Sequence, residues 1–468
     1  MLIDPENNEH IPSLRDPAGF IFYSDNNIYR QVNQNFKENY DKLTTSGLYE
    51  KLVSEKLLIP HVEIDFEAKK NPDAYKILLP EKIKVIAYPY ELCFSQLKDS
   101  AITLLDVMLI SMEYGMILKD ATSYNVQFHN GTPVFIDTLS FEEYKEGEPW
   151  VAYNQFCRHY IAPLCLMKYT DNRINKLLQV NLDGIPVDMS SRLLPLKSFV
   201  NNLPFTHIHL NHLFESFFSG KSKTNSASKT LKINKFGLIS LLSSLKKSIK
   251  KMEMKKNNSE MWSDYYKTSN YSDTELGVKK VIVKKFLDII KSDISSALDI
   301  GSNTGIFSRL AAESGVFTAS IDNDVNCSEQ NYLISKSQNI KNILPLNFDL
   351  INLYSRTGWA GKEHLSLIDR FKPDLCIALA IIHHLRITSG IPLVLLSDFF
   401  QKNSKYLIIE FIPKSDKQIL TMLSNRKDIY YDYSQLTFET VFNRHFKILL
   451  SEPVGGSGRT LYLMQKRF

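Results

Sequence analysis

The sequence predicts an α/β protein built from two modules, a C-terminal doubly wound sheet and an α+β domain before it. Three observations point there. The chain has 468 residues with 44% hydrophobic and 23% charged composition, ordinary for a globular protein and too long for one typical domain. Between residues 219 and 260 it turns polar and lysine-rich, opening with S-G-K-S-K-T-N-S-A-S-K-T. Beyond that stretch, short apolar runs alternate with helical periods, and the runs are closed by polar residues. The expected division is 1–218, a basic connector over 219–260, and 261–468.

Composition removes several function classes. The balance of 56 Lys+Arg against 51 Asp+Glu, +5 in all, is too mild to imply a nucleic-acid binder by itself. No apolar run approaches the roughly 20 residues that cross a bilayer, so a membrane-spanning protein is excluded. The N-terminus lacks the basic and then apolar blocks of a secretory leader. Five scattered cysteines with no C-x-x-C pattern suit a reduced, cytoplasmic protein. No internal repeat is present at solenoid periods.

Along the first module, K-V-I-A-Y-P-Y-E-L-C-F (84–94) predicts an edge strand entering a hinge, and A-I-T-L-L-D-V-M-L-I-S-M-E-Y-G (101–115) a helix. Next come L-K-D-A-T-S-Y-N-V-Q-F, a hairpin turn at Asn130-Gly131, and F-I-D-T. Four residues separate Asp120 from Asn125, and Asp137 closes the second strand of the hairpin. The pattern resembles the active-site loop of protein-kinase-like phosphotransferases. That resemblance implies a nucleotide and metal site in which Asp120 takes the acceptor's proton while Asn125 and Asp137 hold the Mg²⁺ of ATP. The chain has no G-x-G-x-x-G and no V-A-I-K lysine, and Thr138-Leu139 replaces Phe-Gly. Arg30, with Glu50 as helix partner, is the candidate for the missing lysine. The module is either a degenerate fold that recognises a substrate or nucleotide, or an active kinase. His207, His209 and His212 offer a metal-ligand spacing without a cysteine or carboxylate beside them, which favours a structural or substrate-contact role. The stretch from Trp150 to Met167 is helical core, with Arg158 and His159 as pocket candidates.

In the connector, eleven lysines face only Glu253 and Glu260, so the basic character of the chain is local. Phe236, Leu238, Ile239, Leu241, Leu242, Leu245 and Ile249 fall near helical spacing. The resulting basic amphipathic helix either packs on its own domain with its lysines solvated or, over residues 231–256, meets an anionic membrane surface or an acidic partner.

The second module opens with a strand and a glycine turn, A-L-D-I-G-S-N-T-G, then a helix. Gly301 and Gly305 let the backbone turn sharply and approach a ligand, and the helix amino end offers N–H groups. The next apolar run ends at Asp322, about twenty residues on, where an acidic group accepts ribose hydroxyls. A third run ends at Asp349, a fourth passes from Asp374 into His383 and His384, and a fifth closes with Glu410. Such a sheet binds its ligand at the carboxyl ends of the strands. A dinucleotide-dependent dehydrogenase fits less well, because its third glycine belongs where Ile306 stands.

D-I-G-S-N-T-G resembles the first motif of class I S-adenosylmethionine (SAM) methyltransferases, with Asn303 in place of the middle glycine. The resemblance implies a Rossmann-like sheet in which Asp299, Gly301, Asn303 and Gly305 form the cofactor loop. It also puts Asp299 toward the methionine end, Asp322 on the ribose, Asp349 on the adenine amino group and Ala380 among the cofactor contacts. His383 and His384 then face the methyl group; one of them is the general base, and Glu410 joins them as a catalytic candidate. Where enzymes methylating the exocyclic amine of adenine carry a proline-rich Asp or Asn motif, this chain has A-L-A-I-I-H-H-L, against such a substrate.

G-W-A-G-K-E-H-L-S-L-I-D-R, I-I-E-F-I-P-K-S-D, R-K-D-I-Y-Y-D-Y and G-R-T-L-Y-L-M, together with D-A-T-S-Y-N and F-I-D-T-L-S-F, resemble a bacterial group of two-domain methyltransferases of the nodulation-protein (NoeA) type. Glu410, Lys414, Asp416, Arg426 and Tyr433 lie in these stretches as pocket candidates. Three functions follow: a SAM-dependent methyltransferase acting on O or N of a sugar or glycan precursor, with the first module recognising the acceptor; a bifunctional kinase-methyltransferase using ATP and Mg²⁺; or a non-catalytic SAM-binding platform.

Overall fold

Continuous apolar runs become strands buried on both faces in the second half of the chain, and half-apolar alternating runs become antiparallel strands in the first. The computed structural model describes residues 16–24, 27–65, 73–214, 232–254, 273–352, 355–424 and 428–467. Two units emerge: Met1–Lys256 with Ser355–Ser366, and Asn257–Tyr354 with Leu367–Phe468.

The first unit opens with a four-stranded antiparallel sheet of β1 (Gly19–Ser24), β2 (Asn27–Asn33), β3 (His61–Ile64) and β4 (Ala74–Pro80), in the order β1-β2-β4-β3. The helices Lys37–Thr45 and Leu48–Ser54 connect β2 to β3. The predicted helix runs over Phe94–Glu113 and is apolar on most of its circumference, with Leu97, Leu104, Leu105 and Met108 fully buried. Around it lie β5 (Met116–Leu118) paired with β8 (Phe141–Glu143), and the hairpin of β6 (Val126–His129) and β7 (Thr132–Phe135). Asn130 and Gly131 take φ +49° and +78° at its tip, as a two-residue hairpin loop requires.

The stretch 84–94 is not the edge strand that its apolar run predicts. The Gln127 side chain accepts from the Ala87 N–H at 2.8 Å and donates to its carbonyl at 3.0 Å, standing in for a neighbouring strand, and Pro89 then opens the turn Pro89–Glu91. The connector takes the first of its two expected placements, packed on its own domain. Its helix, Lys235–Lys250, buries Leu238, Leu242, Leu245 and Ile249 against Phe94–Glu113 and pairs Lys246 with Asp106, so it is part of the first unit. Those four side chains are covered, while Phe236, Lys247, Lys250 and Lys251 stay exposed. The polar run that opens the connector lies outside the described residues.

Residues Ser355–Ser366 fall between two sheet strands in sequence yet belong to the first unit. Thr357 and His364 exchange both backbone hydrogen bonds at 3.1 Å, closing a small loop. The His364 ring stacks on Tyr124 at 4.5 Å and 14°, and the Leu365 N–H donates to the Tyr88 hydroxyl at 3.0 Å.

The second unit carries a seven-stranded sheet: β9 (Ser296–Ile300), β10 (Phe317–Asp322), β11 (Ile343–Asn347), β12 (Leu375–Ala378), β13 (Tyr406–Phe411), β14 (Phe446–Pro453) and β15 (Thr460–Lys466), in the order β11-β10-β9-β12-β13-β15-β14. The first five are parallel; β15 runs antiparallel between β13 and β14. The chain winds outward from β9 to β11 and then crosses to β12, on the other side of β9. The carboxyl ends of β9 and β12 therefore form the switch-point crevice where such sheets bind ligands. Val283, Phe286 and Leu287 of the helix Asp273–Ile290 pack with Ala297, Ile377 and Ile408 of the sheet in one apolar core.

Candidate active site

The loop after β9 is a backbone cradle. Gly301, Asn303 and Gly305 sit at φ +70°, +49° and +78°, alternating left-handed residues that turn successive N–H groups inward. Glycine is required at 305, where an added Cβ would lie 2.1 Å from Asn331 Oδ1. At 303 the sequence departs from glycine yet keeps the conformation, because asparagine is the side chain that tolerates it best.

The Asn303 N–H donates to Asp322 Oδ2 at 2.7 Å, and the Asp324 N–H to Oδ1 at 2.8 Å. The loop and the carboxylate at the end of β10 are thus one preformed unit. A buried relay supports them from below: Asn331 Nδ2 donates to Ser320 Oγ at 2.7 Å, Ser320 meets Ser308 at 2.8 Å, and Ser308 donates to Asp299 Oδ2 at 2.5 Å. Burial pushes the Asp299 carboxyl up to about 7, against the pull of the Ser308 hydrogen bond. Burial likewise pushes Asp322 up to about 6, although three backbone N–H groups, of Asp324, Asn303 and Asn323, favour its charge.

Asp349 follows β11 and caps the turn Leu350–Asn352, its oxygens accepting from the Ile351 N–H at 3.0 Å and Asn352 Nδ2 at 2.8 Å. His383 and His384 lie on the helical turn after β12. His383 has 0% exposure, and neither ring nitrogen has a hydrogen-bond partner. Burial first, then His384 and Lys279, hold it neutral far below the ordinary imidazole range. His384 is half-buried, its ring 4.2 Å from that of His383, and burial lowers its pKa too.

Glu410, 0% exposed, has its Oε2 2.8 Å from the Ala380 N–H and 2.5 Å from Lys279 Nζ. Its other oxygen is 3.9 Å from Arg459, which is held by Asp416 at 2.8 Å. Lys414 pairs with Asp428 at 2.7 Å, and the Tyr433 hydroxyl donates to the Ile412 carbonyl at 2.9 Å. Arg426 lies outside the described residues. Sequence patterns did not single out Lys279, Ser308, Ser320, Asn331 or Arg459. Each is an ordinary polar residue, on a helix or strand or, for Arg459, just before β15, and only the buried surroundings distinguish it.

In the first unit, Asn125 Nδ2 donates to Asp120 Oδ2 at 3.2 Å and the Thr122 N–H to Oδ1 at 2.9 Å. Burial, then the charge of Asp137, raises the Asp120 pKa. Asp137 is itself buried but held below its ordinary value, because the penalty of burial is outweighed by Arg30 and the Ser140 hydroxyl, both in direct contact. Arg30 thus bonds Asp137, while Glu50 is exposed on its helix. His159 bonds Ser123 at 3.1 Å. His207 bonds the Tyr153 hydroxyl at 2.6 Å, and His209 lies between Ser191 and Ser198, 2.8 Å from each. Among the described residues no cluster of His, Cys, Asp or Glu has the makings of a metal site, and no helix is long and apolar enough to cross a membrane. All five cysteines are buried, and no disulfide joins them.

No protein-family model matches the chain. Over 458 residues it is 29% identical to nodulation protein NoeA of Rhizobium meliloti (strain 1021), covering 97% of this chain and 95% of that one. Among solved structures, the bifunctional kinase-methyltransferase WbdD aligns at 14% identity over 42% of this chain and 40% of its own, with a TM-score of 0.30. The N-methyltransferase NodS from Bradyrhizobium japonicum WM9 aligns at 13% identity over 41% of this chain and 98% of its own, also at 0.30. Alignments at that score carry no weight here; the strand order and the cradle carry the fold.

Proposed function

We propose that this NoeA-type, SAM-dependent methyltransferase methylates an oxygen or nitrogen of a small polar acceptor, by preference a sugar or glycan precursor, and that its first unit recognises the acceptor. The observation that carries the reading is the bond from the Asn303 N–H to Asp322, which joins a left-handed backbone cradle to an acidic group one strand away. That donor and acceptor set fits the cofactor: N–H groups for its polar end, and a carboxylate with lone pairs for ribose hydroxyls. Asp299 steadies the loop through Ser308, Asp349 closes the neighbouring strand end, and Ala380 stands in the turn after β12.

When bound, SAM supplies an electrophilic methyl group on a sulfonium. The chain's own task is to align the acceptor, exclude water and remove a proton. His384 suits the last step: its half-buried imidazole is kept neutral, and a neutral ring nitrogen accepts the proton of an attacking hydroxyl, or takes one from an ammonium so that the free amine attacks. His383, with no exposure, shapes the wall behind it. Glu410 is engaged by Lys279 and the Ala380 N–H, which suits holding the turn better than accepting a proton.

Methyl-labelled SAM incubated with the protein and fractionated extract of the source cell tests this, with Asp299→Ala as the blank. Label in a small polar or glycan fraction supports the reading, and label in protein or RNA overturns the acceptor class. A second reading adds phosphoryl transfer from ATP with Mg²⁺ in the first unit; the bond between Asp120 and Asn125 and the field of Asp137 at Asp120 favour it. In that reading Arg30 moves off Asp137 before a metal ion reaches it.

A further inference from the structure

The turn after β12 is held by an ion pair from outside the loop motif. Lys279, on the helix Asp273–Ile290, and Glu410, near the end of β13, are 2% and 0% exposed, with Nζ and Oε2 2.5 Å apart. The same Oε2 accepts the Ala380 N–H at 2.8 Å. Ala380 stands at φ +51°. An L-residue with a plain Cβ enters that left-handed region only at a steric cost. Asparagine offsets part of that cost by bonding locally; alanine has no polar group with which to do so. A hydrogen bond to a buried carboxylate, stronger than one between neutral groups, supplies the compensation from outside. Removing Lys279 takes the ammonium in contact with Glu410 and leaves Arg459, at 3.9 Å and already bound to Asp416, as a poorer substitute. Three residues beyond Ala380 stands His383, whose ring packs on that of His384.

We propose that Lys279 and Glu410 are positioning residues whose ion pair fixes Ala380 in the left-handed conformation and thereby sets where the cofactor border and the two histidines stand. The inference rests on the cofactor reading above. Glycine adopts the left-handed region unaided, so Ala380→Gly separates control of this turn from a general contribution to packing.

The probe is S-adenosylhomocysteine, titrated by calorimetry, with the histidine ring resonances followed by NMR. Glu410→Gln and Lys279→Met each weaken binding by about tenfold or more, whereas Lys279→Arg, which keeps the charge, stays within about threefold. Combining Glu410→Gln with Ala380→Gly recovers most of the lost affinity and returns the His383 and His384 resonances to their original positions. A double variant as weak as Glu410→Gln alone overturns the proposal, as does undiminished binding by both single variants. If Glu410→Gln does not fold, Lys279→Met with and without Ala380→Gly poses the same comparison. A wild-type protein that fails to bind the probe overturns the cofactor reading itself, a result distinct from failed rescue.

Discussion

Asp322 carries the most direct test of the cofactor reading, because its proton and the ribose compete for the same oxygens. Its pKa is raised from 3.8 to about 6 by burial, so the folded, ligand-free protein holds that proton across a window where an exposed aspartate has lost it. Ribose hydroxyls donate to the ionised form, so binding favours loss of the proton. Affinity for S-adenosylhomocysteine should therefore be flat above about pH 7 and fall below about pH 6, by up to about tenfold per pH unit. Asp322→Asn should bind weakly and lose that slope; calorimetry from pH 5 to 8 measures both. At position 303 the departure from glycine is conservative in backbone terms. Asn303→Gly should leave the melting temperature nearly unchanged, while Asn303→Val, forced to φ +49°, should lower it by roughly 2–8 °C in a thermal scan. At this scale the sequence was most legible where function is written locally. Asp299, the loop and Asp322 lie within one strand-turn-helix-strand unit, and their spacing alone brings them together. Lys279 and Glu410 are 131 residues apart, and no local pattern joins them.

Elements were legible in proportion to how fully periodicity accounts for their burial. The five parallel strands were readable as apolar runs because both faces are covered. The run at 84–94 looked the same and is not a strand, since the side chain of Gln127 satisfies the Ala87 backbone where a ladder would have. The lysine-rich helix shows the converse: its periodicity was plain, but which surface it met was not. With Leu238, Leu242, Leu245 and Ile249 buried against Phe94–Glu113, it acts as a structural brace of the first unit. Leu242→Ala should then destabilise that unit by about 2–5 kcal/mol, the range for deleting a fully buried leucine, while Lys247→Ala at an exposed position should change it by less than about 0.5 kcal/mol. Chemical unfolding of the two variants checks the contrast. Equal and small effects would mean that the helix does not depend on this packing.

The whole molecule divides its chemistry between two units, and the division runs partly against chain order. Residues Ser355–Ser366, which the sequence inserts between β11 and β12, are claimed by the first unit through His364 on Tyr124, the residue next to Asn125. No sequence pattern announces this, because a histidine and a tyrosine 240 residues apart carry no shared period. What the pattern did announce was two separate sets of acidic groups, and these should be separable by mutation. Asp120→Ala removes the carboxylate that Asn125 and Thr122 orient, so any ATP turnover should disappear while affinity for S-adenosylhomocysteine stays unchanged. Asp322→Asn should do the reverse. Arg30 decides between the remaining readings of the first unit, since its guanidinium occupies Asp137 where a phosphotransferase needs the metal ion. If that contact is a resting state, Mg²⁺ and ATP together displace it, and Arg30→Met lowers turnover by removing a cation for the phosphates. If it is permanent, wild-type protein turns over no ATP, and Arg30→Met gains affinity for a divalent probe such as Mn²⁺, because a buried carboxylate stripped of its counter-ion recruits another. Paramagnetic broadening by Mn²⁺ in wild type and variant distinguishes the two, and either result leaves the methyltransferase reading of the second unit standing on its own test.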